Sequence, residues 1–441
     1  MSSKVKQPSR FRGALRQGVS VRELWSWAMY DFANSGYTTV VLTTVFSAYF
    51  VGVVAEGESW ATLAWTIGLS LSYLLVMLTM PTLGARADAR AQKRRLLFTS
   101  TAGCVVATLL LALTGVGEIA WALTFIVLSN YFYCVGESII GAFLPEIAKS
   151  DSLGRVSGWG WGFGYFGGML ALGIALVVVT QGEASGLGAE QYVPWVMGIT
   201  AVIFMLAALP SFLWLRERSV ATHRPAMGML KRLAFAWVET RDHYPDLRRL
   251  LICGALYQAG IAVVITLSAV YATQAMGFSM SQTMMLVFTV NIAAAVGAMG
   301  FGHVQDNLGH KPALAITLCG WLLMIVLAAT ATGAGQFWAS AVVAGLCIGS
   351  SQSAGRAMVG AFSPDQRLAE FYALWTFAIQ LAAVVGPLCY GLVTWLTDGN
   401  HRLALSFTSS FFLGGLLVLW RINFHRGIAR KAQTDQNAAG V

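Results

Sequence analysis

The stretch WAMYDFANSGY, residues 27–37, decides how the rest of the chain is interpreted. It opens an apolar segment that continues to about residue 54, and it nevertheless carries a carboxylate. Its polar residues fall at the i, i+3, i+4 and i+7 positions of one helix face: Asp31, Asn34, Ser35 and Thr38. A charged group inside a membrane helix is costly and usually faces a cavity or a partner. The stretch therefore predicts a spanning helix whose polar stripe faces a water-filled interior.

The composition agrees with a membrane location. Of the 441 residues 56% are hydrophobic and 11% are charged, whereas soluble domains carry about 25% charged residues. The net charge of +9 lies mainly between the apolar segments, where membrane topology explains it. We therefore expect a lipid bilayer around the protein and no nucleic-acid partner.

Twelve segments have about the length and apolarity that a spanning helix needs. Loops with Gly, Pro or charged residues separate most of them. The predicted spans are 24–51, 60–84, 95–115, 119–142, 156–180, 193–215, 249–274, 281–303, 312–332, 337–362, 368–396 and 402–424.

Positive charge orients these spans. All but two of the 29 Lys and Arg residues, Arg356 and Arg402, fall in the tails or in the loops that follow even-numbered spans. Positively charged loops stay in the cytoplasm. Both termini are therefore predicted to be cytoplasmic, in a bacterial inner membrane, and no cleaved signal peptide is expected.

The two halves of the chain resemble each other at an offset near 219 residues. Gly84-Ala-Arg-Ala-Asp88 follows span 2, and Gly302-His-Val-Gln-Asp306 follows span 8. We expect an all-α integral membrane fold with twelve transmembrane helices in two pseudo-symmetric six-helix halves. The predicted parts are a cytoplasmic tail (1–23), a first bundle (24–215), a cytoplasmic central loop (216–248), a second bundle (249–424) and a cytoplasmic tail (425–441).

The two GxxxD loops are predicted to be structural latches. Glycine on the last turn of a helix lets a neighbouring helix approach closely. The aspartate four residues later can accept hydrogen bonds from another helix N-terminus or pair with an arginine. We assign this role to Gly84 and Asp88 in the first copy and to Gly302 and Asp306 in the second.

These loops resemble the hallmark loop of the major facilitator superfamily, with Ala91 where glycine is usual. The run Tyr-Asp-Phe-Ala-Asn-Ser at 30–35 is similar to the first helix of its vacuole-effluxer-like branch, also called the unknown major facilitator family. Leu144-Pro145-Glu146 and Gly386-Pro387 also resemble that branch. The resemblance implies alternating-access transport, and fungal members are associated with amino-acid export from the vacuole. One departure concerns span 7, where the branch commonly has Asp-Gly and this chain has Gln258-Ala259 after Tyr257.

Three charged groups lie well inside the predicted spans: Asp31, Glu137 and Arg356. Glu137 and Arg356 are separated by the repeat offset and should occupy equivalent places in spans 4 and 10. A Glu137–Arg356 pair could form a cytoplasmic gate, contact the substrate, or be a purely structural ion pair. Asp31 or Glu137 could carry a proton if burial raises its pKa.

Other polar residues are expected deeper in the substrate pathway or beside the gate: Asn34, Tyr37, Tyr257, Gln258 and Gln352. In span 5 the glycines of GWGWGFGYFGG (158–168) form a small-residue stripe at i, i+4 and i+8, which favours close helix packing over dinucleotide binding. No His or Cys spacing suits a metal, and no P-loop is present, so neither a metal nor another cofactor is expected.

The sequence predicts a transporter rather than an enzyme. We expect it to move a small solute, first of all an amino acid or a related metabolite, possible efflux included, with or without coupling to protons, and to function as a monomer. The alternatives that share these features are a permease for sugars or cell-wall fragments and a receptor or scaffold that does not transport.

Overall fold

The computed structural model describes residues 10–58, 60–219, 221, 229–274, 276, 278, 280–397 and 400–439. The first nine residues of the predicted N-terminal tail and most of 220–228 in the predicted central loop lie outside this described part. The described part of the chain contains twelve long helices, α1 to α12. Eleven of them are long and apolar enough to span a membrane. Their bounds are Val21–Val54, Ala61–Arg90, Lys93–Leu111, Ile119–Gly141, Leu153–Ala184, Ala189–Trp214, Pro245–Gln274, Met280–Leu308, His310–Ala329, Ala334–Phe362, Leu368–Leu396 and His401–Trp420.

The exception in apolarity is α10, because it carries glycines, serines, Gln352 and Arg356 along its length. This helix is nevertheless packed inside the protein, with Ser350, Ser351 and Ser353 all buried. The large apolar side chains that remain exposed on the outer helices, such as Trp195, Leu388 and Leu417, provide the surface that lipid covers. The protein is therefore a multi-pass membrane protein.

Local chemistry explains the ends and irregularities of α1. The Ser20 hydroxyl caps its N-terminus by accepting from the Glu23 backbone N–H at 3.1 Å. Further along, the helix widens to π-helical turns over Thr38–Thr44 and Phe50–Val54. There the Thr43 and Thr44 hydroxyls donate to carbonyls five residues earlier, at 3.0 and 2.6 Å. The threonine-rich sequence thus supports the wider turn.

Odd-numbered helices begin, and even-numbered helices end, on one side of the protein, which we call the basic face. The N-terminal segment lies on this face, where the Arg16 N–H donates to Ile147 O at 2.9 Å and the Lys149 N–H donates to Ala14 O at 3.0 Å. Arg218 connects the end of the first half to α1 by donating to both carboxylate oxygens of Glu23, at 2.6 and 2.8 Å.

Two segments predicted as loop or tail contain helices on this face. The linker helix, Met229–Asp242, lies within the predicted central loop and contacts α2. Its Glu239 accepts from Arg367 Nη2 at 2.6 Å. The C-terminal helix, Phe424–Ala439, occupies the predicted tail, and its Arg426 pairs with Asp246 at 2.6 Å.

The two six-helix halves meet along α5 against α8 and α10, and along α2 against α11. Glycines permit these contacts. A Cβ on Gly84 would lie 2.5 Å from Ala369 O, and one on Gly302 would lie 2.6 Å from Gly154 O. Among the described residues, the hydrogen bonds that join the halves run inward from the basic face as far as Gln380 Nε2 and Cys134 Sγ, 3.2 Å apart. The halves are therefore closed together at the basic face.

Candidate functional site

The centre of the contact between the halves is a buried ion pair. Arg356 on α10 donates through Nη1 to both carboxylate oxygens of Asp31 on α1, at 2.9 and 2.8 Å. Asp31 is 6% exposed and Arg356 7%. At about 1.5 Å per residue, Arg356 lies six residues, or roughly 9 Å, inside the basic-face end of α10. The pair thus connects the halves at the inner edge of the closed face.

The other two nitrogens of Arg356 also have partners. Nε donates to Ser157 Oγ at 3.1 Å and Nη2 donates to Ser157 O at 3.0 Å, so α5 holds the guanidinium in a fixed plane. The rings of Trp27 and Trp161 lie 4.8 and 5.3 Å from its central carbon. Two further bonds across the halves and two aromatic faces surround one arginine, which compensates its removal from water.

The prediction of a Glu137–Arg356 pair is wrong, because the Arg356 guanidinium is bonded to Asp31 instead. The repeat correctly gives Glu137 and Arg356 similar depths, but it does not give the direction in which each side chain points. Glu137 lies on α4 between Gly136, which packs against the Tyr30 hydroxyl, and Gly141, where a Cβ would lie 3.9 Å from Arg356 Cδ. The three groups do gather in one region, with Glu137 beside the pair rather than in it.

The α1 stripe packs largely on α5. Asp31 is bonded to Arg356, and Thr38 donates to Ser35 O at 3.2 Å. Ser35 packs on α5, where a Cβ on Gly164 would lie 3.0 Å from its hydroxyl oxygen. Asp31 and Asn34 are buried, whereas Ser35 and Thr38 remain partly exposed. That the stripe faces a water-filled interior therefore stays a prediction.

Helices α1 and α4 run antiparallel in close register. Trp27 Nε1 donates to Ile140 O at 2.9 Å, and Tyr37 accepts from the Ser129 hydroxyl at 2.8 Å. Tyr37 is 1% exposed and its ring stacks on Tyr133, with centroids 5.1 Å apart. Tyr37, which we expected in the substrate pathway, is thus part of the packing inside the first half.

Asn34 lies between these contacts and has a different status. It is 5% exposed, and neither its amide nitrogen nor its amide oxygen has a hydrogen-bond partner among the described residues. A buried unpaired amide is costly unless a ligand or water satisfies it. Asn34 is therefore retained as a candidate contact residue.

In the second half, Gln258 on α7 and Gln352 on α10 pair through their amides, with Gln258 Nε2 donating to Gln352 Oε1 at 2.8 Å. Gln352 is one helical turn from Arg356 on the same face. Tyr257 is fully buried beside Trp375, and its hydroxyl has no described partner. The expected residues of α7 and α10 thus lie together, next to the ion pair.

Comparisons with known proteins agree with this architecture. The model of the family described as vacuole effluxer Atg22 like matches residues 47–432. The chain belongs to the vacuole effluxer Atg22-like family. The matched range begins after the stretch 27–37, so that stretch is not what the family model scores.

Relatives of this Atg22-like chain include an uncharacterized MFS-type transporter, YxiO of Bacillus subtilis, 25% identical over 89% of this chain and 93% of its own length. The ectoine/proline transporter ProP of Corynebacterium glutamicum is 27% identical over 73% of this chain and 65% of its own. The autophagy-related protein 22-1 of Neosartorya fischeri is 25% identical over 62% of this chain, which spans only 48% of that longer protein.

Solved structures share the fold. The human organic anion transporter MFSD10 superposes with a TM-score of 0.72 at 15% identity, over 90% of this chain and 99% of its own. The proton:xylose symporter XylE gives 0.72 at 15% identity, over 90% and 95%. The Atg22-like chain therefore has the twelve-helix major facilitator fold.

In this fold the two GxxxD loops contact the opposite half. Asp88 accepts the backbone N–H groups of Ala369 and Glu370 at the start of α11, at 3.2 and 2.9 Å. Asp306 accepts those of Gly154 and Arg155 at the start of α5, at 3.0 and 3.1 Å. Each aspartate thus caps a helix of the other half, at equivalent places in the repeat.

The glycine stripe of α5 packs tightly, as predicted. A Cβ on Gly160 would lie 2.5 Å from Asp31 Oδ2, and one on Gly168 would lie 2.9 Å from Thr39 Oγ1. The stripe admits α1 close enough for Asp31 to reach across to α10. It therefore shapes the ion-pair site as well as the packing.

Sequence reasoning missed Ser157, Trp161 and Gln380. The contact partner of Ser157 is on the other half and has no local signature. Trp161 was not among the predicted site residues. Its position one turn beyond Ser157 on α5 was the available signal.

Proposed function

We propose that this protein is a secondary transporter that carries a small solute across the membrane by alternating access. The observation that carries the proposal is the distribution of contacts between its halves. A buried ion pair and two helix-capping aspartates join the halves at the basic face. Contacts of this kind can break together when the halves rock, opening the same central region to the other side.

We further propose that the basic face is cytoplasmic, in a bacterial inner membrane, and that one chain suffices for transport. The asymmetry of Lys and Arg in the sequence supports this orientation. Asp88 and Asp306 act as latches that stabilise the state closed at this face, with Gly84 and Gly302 permitting their approach. Both helix-capping contacts must break when the face opens.

For the cargo we propose an amino acid or a related small metabolite, moved outward by analogy with vacuolar effluxers. The relative named as an ectoine/proline transporter favours this class over sugars and cell-wall fragments. If transport is coupled to protons, Glu137 is the better carrier, because the charge of Asp31 is already compensated by Arg356.

The test is an unbiased solute screen with the purified full-length chain in liposomes that contain a pH-sensitive dye. Pools of amino acids, compatible solutes and sugars are offered on either side, and solute uptake and internal pH are followed together. Saturable flux that disappears in Arg356→Gln, with Arg402→Gln on the far side as the matched control, is expected. Absence of flux for every pool, with correctly folded protein, would contradict the proposal and favour a receptor or scaffold.

A further inference from the structure

Among the described residues, no Lys, Arg or His forms an ion pair with the acidic side chain of Glu137. It lies nine residues, or two and a half turns, beyond the lipid-exposed Leu128, so it points to the opposite, inner side of α4. Arg356 packs against Gly141, one turn beyond Glu137, but each of its nitrogens already donates to Asp31 or Ser157. When Glu137 is ionised, the three charged groups sum to one net negative charge between the helices, which a positive ligand group would neutralise.

Aromatic residues share the helix faces that carry these charged groups. Tyr133 lies one turn before Glu137 on the same face of α4. Tyr165 lies two turns beyond Ser157 on the face of α5 that holds Arg356. Trp161 lies one turn before Tyr165, with ring centroids 6.1 Å apart. Ring faces beside a carboxylate are the surroundings in which an ammonium group is bound.

Unsatisfied polar atoms point to an occupant. In the register of α1 and α4, Tyr30 meets Gly136 and Tyr37 stacks on Tyr133. Asn34 lies between Tyr30 and Tyr37 on the same face of α1, which places it beside the turn of α4 that carries Glu137. Its amide atoms and Trp161 Nε1 are buried without partners among the described residues. Buried donors and acceptors without partners are able to bond a polar ligand.

We propose that Asn34, Tyr133, Glu137, Trp161 and Tyr165 form a binding compartment for a cationic amine. The ammonium group lies against the Glu137 carboxylate and the aromatic faces, and Asn34 bonds the neighbouring polar atoms of the ligand. The role of this compartment rests on the proposed transport function. If that function holds, the compartment narrows the cargo to solutes that carry a positive amine. Every nitrogen of Arg356 already donates to Asp31 or Ser157, so among the described residues the compartment holds no unpaired cation for a carboxylate. The positive group of the ligand is what it recognises.

The inference separates compounds that share one carbon skeleton. For each of the alanine, proline and phenylalanine skeletons, four probes are compared: the amino acid, its amide, the acid lacking the amine, and the amide lacking the amine. Binding to the purified full-length protein in detergent is measured by calorimetry and by thermal shift. We expect the amino-acid amide to bind at least as well as the amino acid, and both compounds without the amine to bind far more weakly.

Glu137→Gln keeps the size of the side chain and removes its charge. It should weaken amine binding by roughly 10- to 150-fold, the usual worth of a hydrogen bond to a charged group. Glu118→Gln, at the other end of the same helix, is the matched control and should leave binding unchanged. Should Glu137→Gln fail to fold, the comparison of probes on the unmodified protein still decides.

Three outcomes overturn the inference: tight binding of the acids without an amine, no amine bound at millimolar concentrations on any skeleton, or amine binding unchanged in Glu137→Gln. Solute flux in the liposome screen together with any of these leaves the transport function standing and removes the amine compartment. Amine binding without flux for any solute leaves the amine compartment standing and removes the transport function. The two proposals can thus fail separately.

Discussion

In the proposed transport cycle the Asp31–Arg356 pair exists only while the halves are closed at the basic face, so removing one partner should shift the balance between states. In Asp31→Asn the guanidinium keeps its bonds to Ser157 and loses its counter-charge. The two hydrogen bonds from the guanidinium to the carboxylate, 2.9 and 2.8 Å long, are lost together with the counter-charge. In the open state the same guanidinium would face water and would not bear this cost.

Breaking a buried pair by removing one partner costs about 3–5 kcal/mol. If that cost falls on the closed state alone, the ratio of open to closed molecules rises by roughly 150- to 5,000-fold. The double variant Asp31→Asn with Arg356→Gln leaves no uncompensated charge. Since replacement of both partners is often close to neutral, its shift should be less than about tenfold.

Double electron–electron resonance measures this shift. Spin labels at Arg95 on α3 and Asn307 on α8, both exposed on the basic face of opposite halves, report the distance across it. Asp31→Asn should add a longer-distance population that the double variant largely loses, while Glu118→Gln on the opposite face should match the parent. Distance distributions for Asp31→Asn that are indistinguishable from the parent would refute this account of the pair.

Three further perturbations test neighbouring parts of the structure. Asp88→Ala leaves the Ala369 and Glu370 N–H groups at the start of α11 uncapped and should favour opening by about 0.5–2 kcal/mol, seen as a smaller shift with the same spin labels. Ala91 has φ +50°, which costs an alanine more than a glycine, so Ala91→Gly should raise the unfolding free energy by about 1 kcal/mol. The control Ala102→Gly, inside α3, should lower the unfolding free energy by about as much. A thermal scan in detergent compares the two variants. Asp365→Asn removes a partly exposed bridge to Arg16 across the halves and should shift the state balance by less than about 1 kcal/mol, with no remaining effect at high salt. An effect of Asp365→Asn that does not depend on salt would contradict the surface-bridge explanation. Equal thermal shifts for the two glycine variants would contradict the explanation from the φ of Ala91.

Much of the fold follows from local features of the sequence. The span 368–396 agrees with the observed Leu368–Leu396 because apolar length and flanking charge are local properties. The departure noted at Ala91 also has a structural meaning. Ala91 and the equivalent Gly309, at φ +91°, both adopt left-handed conformations where a helix must turn sharply. The resemblance therefore located a real backbone requirement.

The partner of Arg356 could not be obtained in the same way. Depth along a helix can be counted from its ends, but rotation about the axis depends on the helices packed beside it. The glycines of α5 let α1 approach, and this places Asp31 rather than Glu137 against the guanidinium. The linker and C-terminal helices were missed because their many charges resemble those of a solvated loop.

The central claim is that transport requires the basic face to open. Cysteines at Arg16 and Asp365, whose side chains meet across the halves at 3.2 Å, can be joined by a short, reducible bifunctional thiol reagent in a background without the six native cysteines. Flux of a solute identified in liposomes should stop on cross-linking and return when the link is reduced. Unchanged flux through fully cross-linked protein would contradict alternating access by this route.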